Sequence, residues 1–248
     1  MTPADIIRLK NLLPTTLGSA EIRQRIAADI LRRAVFSARM ASASYLAKIR
    51  EVCIEISEGR IGQADARARL LAVLEQMGHS QLKPGGLMNP ASQRRLDLII
   101  DTQRQMAASV AMISEETEAT VAMHPAWRLV RMGNPRMPRT DWPARWRAAG
   151  EYCGWEGASK EDFVALKGSP IWQALGDGAG GFKDTLGNPY PPFAYSSTMA
   201  WEPVDRDECA ALALDPDGAS PTRATLSPSE REIAEAAKRF GFDVGRYS

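Results

Sequence analysis

Cysteine and histidine are scarce in this chain. Three cysteines, Cys53, Cys153 and Cys209, stand far apart and odd in number. That argues against a disulfide framework and fits reduced thiols. The two histidines, His79 and His124, belong to no CxxC or HExxH pattern, so no zinc site or other cofactor is expected. No run of about twenty apolar residues exists, and no membrane partner is expected. The opening residues Met1–Asp5 lack a basic region and an apolar stretch, so no secretory signal is expected. A net charge of +1 gives no global case for nucleic acid or membrane binding. The glycine-rich run Gly176–Gly181 has neither the GxxxxGK[ST] pattern nor the dinucleotide pattern, and it reads as a mobile loop. Glu115 and Glu116 are adjacent carboxylates without a partner base and read as exposed. With Cys153 and His124 isolated, no nucleophile–base–orienter set is visible, and an enzyme is not expected.

What remains is a chain of 248 residues with near-average composition, long enough for one or two domains with a real core. Residues 1–18 hold a short apolar patch, Ile6–Leu13, closed by Pro14, and read as a short helix or as an N-terminal arm lying on a neighbour. Ser19 is a candidate N-cap, and an apolar stripe through Ile22, Ile26, Ile30 and Ala34 continues to Ile49, Val52 and Ile56. The pattern predicts one very long helix, or two joined by a kink, ending at Gly59 and Gly62. Seven Lys/Arg fall between Glu21 and Arg50. They form either a basic face for DNA or an acidic partner, through Arg23, Arg25, Arg32, Arg33 and Arg39, or a plain solvated face. Further helices are predicted over Ala64–Met77 and Ser92–Val121.

The texture changes at His124-Pro125, where helical periodicity stops and Pro, Gly and Trp become dense. Trp127–Met132 reads as a strand, Gly133–Thr140 as a loop, and Trp142-Pro143 as the start of a short helix ending at Gly150. Six arginines and one acid lie between Trp127 and Arg147. Arginine interleaved with tryptophan suits a protein interface or internal packing better than nucleic acid here. Phe163–Leu166 reads as a short strand. Ser169 and Pro170 open a helix, and Asp205–Leu214 forms another. The proline-aromatic segment Gly187–Trp201 reads as a stiff surface loop that packs on the Arg/Trp-rich run. A final amphipathic helix is predicted from Ser227 to Phe240, with a tail free to dock.

Four stretches together resemble the Mu-F-like head-morphogenesis, or minor head, proteins of tailed bacteriophages. The first is Arg33–Arg39 with Tyr45-Leu46. The second is Glu58–Gly62 with Ala64–Arg67 and Leu74–Gly78. The third is Arg95–Arg104. The fourth runs from Pro125-Ala126-Trp127 through Asp141-Trp142 to the Tyr190-Pro191-Pro192 turn. The likeness spans roughly residues 20 to 214. Where relatives carry an Arg-x-x-His pair, Arg139 is followed by Trp142, and Ser197-Thr198-Met199 stands in place of a Cys-Arg-Cys. No metal or catalytic role is therefore carried over.

The resemblance implies an α+β chain: a long-helix domain (19–123), a smaller loop-rich Mu-F-like domain (124–214), and a linker with a C-terminal helix and tail (215–248). It implies a structural or assembly protein of the phage head, at the portal vertex or inner capsid of the virion and in the host cytoplasm during assembly. Its partners would be the portal protein, the major capsid protein or both, in a multi-copy assembly. The expected partner interface is Trp127, Arg128, Arg131, Arg139, Trp142, Trp146, Tyr190, Phe193 and Tyr195. The alternative is an ejected internal protein that holds double-stranded DNA through the basic helical face.

Overall fold

Thr2 and Asp5 cap each other reciprocally, Thr2 N donating to Asp5 Oδ2 at 3.0 Å and Asp5 N to Thr2 Oγ1 at 3.2 Å. They start α1 (Pro3–Arg8), whose Ile6 and Ile7 are fully buried. The computed structural model describes residues 1–132 and 139–222. The expected C-terminal helix, its tail and most of the Gly133–Thr140 loop lie outside the described residues. The fold is α+β, and the chain divides into two compact units, with the boundary between Ala108 and Ser109.

In the first unit the segment expected to be a short helix or an arm opens with the helix and is part of the core. After α1 the chain forms β1 (Asn11–Leu12), which pairs in parallel with β2 (Ala34–Val35). Between them lie α2 (Ser19–Arg25) and α3 (Ala28–Arg32). The single long or kinked helix expected from Ser19 to Ser57 is not formed. The backbone turns extended at Ile26 (φ −113°, ψ 128°), and past β2 Arg39 takes a positive φ of 57°. Ser42 then caps a new helix, α4 (Ala43–Ser57), by accepting from Tyr45 N at 3.2 Å. The apolar spacing is kept, but it serves a folded-back packet. Leu13, Leu17, Ile22, Ile26, Leu31 and Ala34 cluster together, and the short elements satisfy their backbone through the β1–β2 pairing. Helical periodicity cannot separate one rod from two short helices that share a stripe.

α4 packs against α1 and against α5 (Gln63–Gln76). Gly62 precedes α5, with its N–H held by Asp65 Oδ2 at 3.3 Å. Tyr45, Leu46, Ile49, Val52 and Cys53 of α4 and Leu70 and Leu74 of α5 are buried, each large aliphatic contributing about 1.5–3 kcal/mol. α6 (Gln93–Ser114) adds Leu96 and Ile100. It stops at Ser114, short of the expected Val121, because Thr117 caps a separate helix, α7 (Glu118–Met123), through Thr120 N.

The second unit is built on an antiparallel sheet. β3 (Ala126–Arg131) lies between β4 (Val164–Leu166) and β5 (Met199–Val204). The first half of β5, Met199–Trp201, falls within the segment read as a surface loop. Pro203 argues against a central strand, but β5 is an edge, where a missing N–H is tolerated. α8 (Trp142–Tyr152) packs on α9 (Ile171–Asp177), and α10 (Arg206–Ala211) follows β5 with Asp205 as its cap. The glycine-rich run is tightly fitted where it begins. Gly176 is buried against the 188 backbone, and a Cβ there would lie 2.0 Å from the Asn188 carbonyl oxygen.

Charge is divided between the units. Residues 1–108 hold 16 Lys/Arg against 10 Asp/Glu, a net +6. Residues 109–222 hold 10 against 16, a net −6.

Candidate functional site

The aromatic residues proposed as an interface come together in the second unit, but inward. Trp127 on β3 stacks on Trp201 of β5 at 5.2 Å and 3°, a diagonal cross-strand pair, since Trp201 sits opposite Leu129. Trp201 meets Trp172 edge-on at 5.2 Å. Trp172 in turn stacks on Phe193 at 6.0 Å and leans on Trp146 at 5.6 Å. The indole N–H groups of Trp146 and Trp172 donate to Ser159 O (2.9 Å) and Leu166 O (3.1 Å), so these rings enter the core with their polar ends satisfied. Trp127, Trp142, Trp146, Tyr190 and Phe193 are all buried. For these five the interface expectation is corrected to internal packing: Trp127, Trp146 and Phe193 pack on neighbouring rings, Trp142 lies by the Arg145 guanidinium, and Tyr190 is buried as well. Tyr195 is half-buried, and Arg131 is exposed with Nη2 donating to Arg139 O. Arg128 is paired with Glu208.

Beside the aromatic cluster stands a four-residue ion network. Arg145 Nε donates to Asp141 Oδ2 at 2.8 Å, and its Nη2 donates to Asp184 Oδ1 at 2.7 Å. Arg139 reaches the same two carboxylates at 2.9 and 2.5 Å and donates to Tyr195 O at 3.2 Å. The buried Arg145 guanidinium lies 4.2 Å from the Phe182 ring centroid, a cation–π contact in a desolvated place. Burial pushes both carboxyls up, but hydrogen bonds from the two arginines outweigh it and hold Asp141 and Asp184 below the usual range. Asp141 therefore serves arginine rather than capping α8, where its side chain makes no cap bond. The network fastens α8 and the 139 segment to the 182–195 segment. Among the described residues its four charged groups are paired with one another.

Glu116 is not exposed as expected. Its side chain is buried against that of Lys167, with Oε1 3.2 Å from Nζ, and its Oε2 accepts from Thr222 N at 2.8 Å. Lys167 Nζ lies 4.1 Å from the Trp127 ring centroid. A cleft of about 430 Å³ touches Thr222 and is lined also by Ser169, Trp172, Gln173, Pro189 and Ser220. Among the described residues its lining carries hydroxyls, an amide and apolar rings and no titratable side chain. Cys153 closes α8 with its thiol directed at Gly150 O, 3.7 Å away. Among the described residues no group of three or more His, Cys, Asp or Glu could hold a metal ion.

In the first unit the candidate DNA contacts are dispersed. Arg23 and Arg25 are exposed on α2, Arg32 is half-buried at the end of α3, and Arg39 is exposed in a loop. Arg33 is buried, with Nε on Asp29 O at 2.9 Å and Nη2 on Asp29 Oδ2 at 2.8 Å. It is withdrawn from the candidate contacts, because the same carboxylate and carbonyl that fold it in take it from phosphate. The five arginines therefore do not make one continuous helical face.

Comparison with protein-family models, with curated proteins and with solved structures gives no match.

Sequence reasoning missed three polar groups. Lys167 with Glu116, and Asp184 within the arginine network, join residues distant in sequence and carry no local signal. Lys10 is the third. It is buried, and its Nζ donates to Gln103 Oε1 at 2.8 Å. Burial lowers its pKa to about 8, while the nearby Cys53 works weakly the other way. Burial raises Cys53 to about 12, with Lys10 and Arg104 opposing.

Proposed function

We propose that this chain is a structural and assembly component of a tailed-phage head, a minor capsid or head-morphogenesis protein acting at the portal vertex or inner capsid. The observation that carries the reading is convergence. The stretch from Pro125 to Trp142 and the Tyr190–Phe193 turn, apart in sequence, both supply buried rings to the second unit. The two ends of the fourth resembling stretch are thus parts of one packed unit, while the other three stretches lie in the first unit. A rigid unit of this kind suits assembly, since pre-organised surfaces lose little entropy on docking. No reaction is proposed for it. Portal protein, major capsid protein or both are the partners, and the protein resides in the virion after passing through the host cytoplasm. Interrupting the reading frame during phage growth should leave malformed or DNA-free heads in the lysate, visible by electron microscopy. A normal yield of infectious particles would refute the proposal.

A second reading, DNA binding by the first unit, is favoured by its net charge of +6 and by exposed Arg23, Arg25 and Arg39. It predicts affinity that falls steeply with salt. Binding that is absent at low salt, or indifferent to salt, removes it.

A further inference from the structure

Between α5 and α6 the residues Gln81–Met88 are all exposed, yet the loop they form is pinned from beneath. Asn89 is buried, and its Nδ2 donates to Ser80 O at 2.9 Å and Lys83 O at 2.8 Å. Arg95 is buried too, with Nη1 donating to Leu87 O at 3.2 Å. Ser92 Oγ donates to Gly86 O at 2.6 Å, and Pro84 stiffens the turn. On this frame the apolar side chains stand outward: Leu82 is 95 % exposed, Met88 62 % and Leu87 39 %. The cations around the loop are placed by contacts as well as by sequence. Lys83 and Arg94 are exposed, Lys83 with Nζ 3.4 Å from Gly78 O. Arg95 Nη2 donates to Ala38 O, so one guanidinium joins the 38 and 87 carbonyls and sets the exposed Arg39 beside the loop. Burial lowers the Arg95 pKa, Tyr45 opposes, and the charge of Arg39 adds to the lowering, as neighbouring guanidinium groups do. Arg39 also borders the start of α2, where a Cβ on Gly18 would lie 3.5 Å from its Nη2, and α2 carries exposed Arg23 and Arg25. Of the acids nearby, Glu21 Oε2 accepts from Gly18 N at 2.8 Å, Asp97 accepts from Arg67 and Gln63, and Glu75 is exposed at the end of α5.

We infer that this loop is a wedge for double-stranded DNA: Lys83, Arg94 and Arg39 hold phosphates while Leu82, backed by Met88, enters a base step from the minor groove and bends the duplex. The inference deepens the DNA reading of the first unit and rests on it. Leucine or methionine flanked by lysine and arginine is a side-chain set that parts stacked bases. A loop already pinned by Asn89 and Arg95 loses little entropy on insertion. A lipid surface also attracts cations beside apolar groups, but lipid interfaces draw on Trp and Tyr, and Gln81–Met88 contains neither. The exposed cations run on from the loop through Arg39 to α2, as suits a long polyanion with closely spaced phosphates.

The test uses the full chain and a duplex of about 20 base pairs with a fluorophore pair at its two ends. Wild type should bind with an affinity that falls as salt rises, and energy transfer between the ends should increase as the duplex bends. Leu82→Ser should keep the salt dependence and lose the increase in energy transfer. Lys83→Gln and Arg94→Gln should each lower the slope of log affinity against log salt by about one. All three residues are exposed, and circular dichroism matching wild type would show that the variants fold. Absence of binding at low salt overturns the inference together with the DNA reading. Binding without bending, or bending that survives Leu82→Ser, overturns the inference alone and leaves the DNA reading in place. An unchanged salt slope in both cation variants overturns it as well. So does capture of wild type, but not of Leu82→Ser, by vesicles of phosphatidylglycerol and phosphatidylcholine when the duplex stays straight, which would assign the loop to lipid.

Discussion

The two units bury their interiors by different means. All six tryptophans lie between Trp127 and Trp201, in the second unit, while residues 1–108 contain only Phe36 and Tyr45 as aromatics. The first unit packs aliphatic side chains around short helices and accommodates a buried lysine. The second encloses a sheet face with interlocking rings and ties its loops with paired charges. An aliphatic interior assembled from many small contributions tolerates a polar intruder with one good hydrogen bond. A ring cluster concentrates its energy in a few large side chains whose backbones must be pinned, and this is where Arg145, Asp184 and Gly176 enter.

The largest expected effect is in the ring cluster. Trp172→Ala removes the residue that touches Trp146, Phe193 and Trp201 and should cost about 3–5 kcal/mol. Tryptophan fluorescence reads the second unit alone, so denaturant unfolding followed by fluorescence measures this loss directly. A loss below 1 kcal/mol would mean the rings are not the core of the unit.

Next comes the ion network. Arg145→Met should cost about 1–2 kcal/mol, discounted because Asp141 and Asp184 are each about a third exposed. Both carboxyls have folded pKa values below their unfolded 3.8. Their contribution is therefore complete above that value and is lost as pH falls through the lowered folded values. Acid titration of stability should show a steeper fall below about pH 4 in wild type than in Arg145→Met. Equal slopes would contradict the pairing.

The first unit predicts a smaller effect at the alkaline end. Lys10 has a folded pKa of about 8 against 10.5 unfolded, so the unfolded chain holds the extra proton between these values and stability rises with pH. Cys53, at about 12 against 9, acts with the opposite sign above pH 9. Wild type should therefore gain about 1 kcal/mol from pH 8 to 9 and then level off. Lys10→Met should abolish the gain, and a gain that survives the substitution would remove Lys10 as its source.

The smallest effect separates surface from interior among the arginines. Arg23→Ala and Arg25→Ala should change stability by less than about 0.5 kcal/mol. Arg33→Ala, which deletes a buried side chain bonded to Asp29, should cost clearly more. Chemical denaturation of the three variants side by side decides it.

These contrasts also show how much was legible in the sequence. Strands β3 and β4 and helices α5 and α8 follow from alternation, helical spacing and the proline at the start of α8. The stretch 19–57 was misread because its apolar stripe fits one rod or several pieces equally well. Only the β1–β2 pairing, a contact between distant residues, selects the pieces. Trp127, Trp142 and Trp146 stand out in the sequence as a candidate partner interface, but composition alone cannot tell whether aromatics pack inward or onto a partner. Trp127 packs on Trp201 of β5, a strand hidden by the reading of Gly187–Trp201 as a loop. Glu116 and Lys167 are separated by half the second unit, and no local pattern links them.

Quantitative mass spectrometry of purified phage particles, before and after DNA release, tests the central proposal most directly. The account predicts this chain in the particle at a copy number well below that of the major capsid protein, remaining with the emptied shell. Departure with the DNA would transfer the weight to the basic first unit and the DNA reading. Absence from both fractions would contradict the assignment to the phage head.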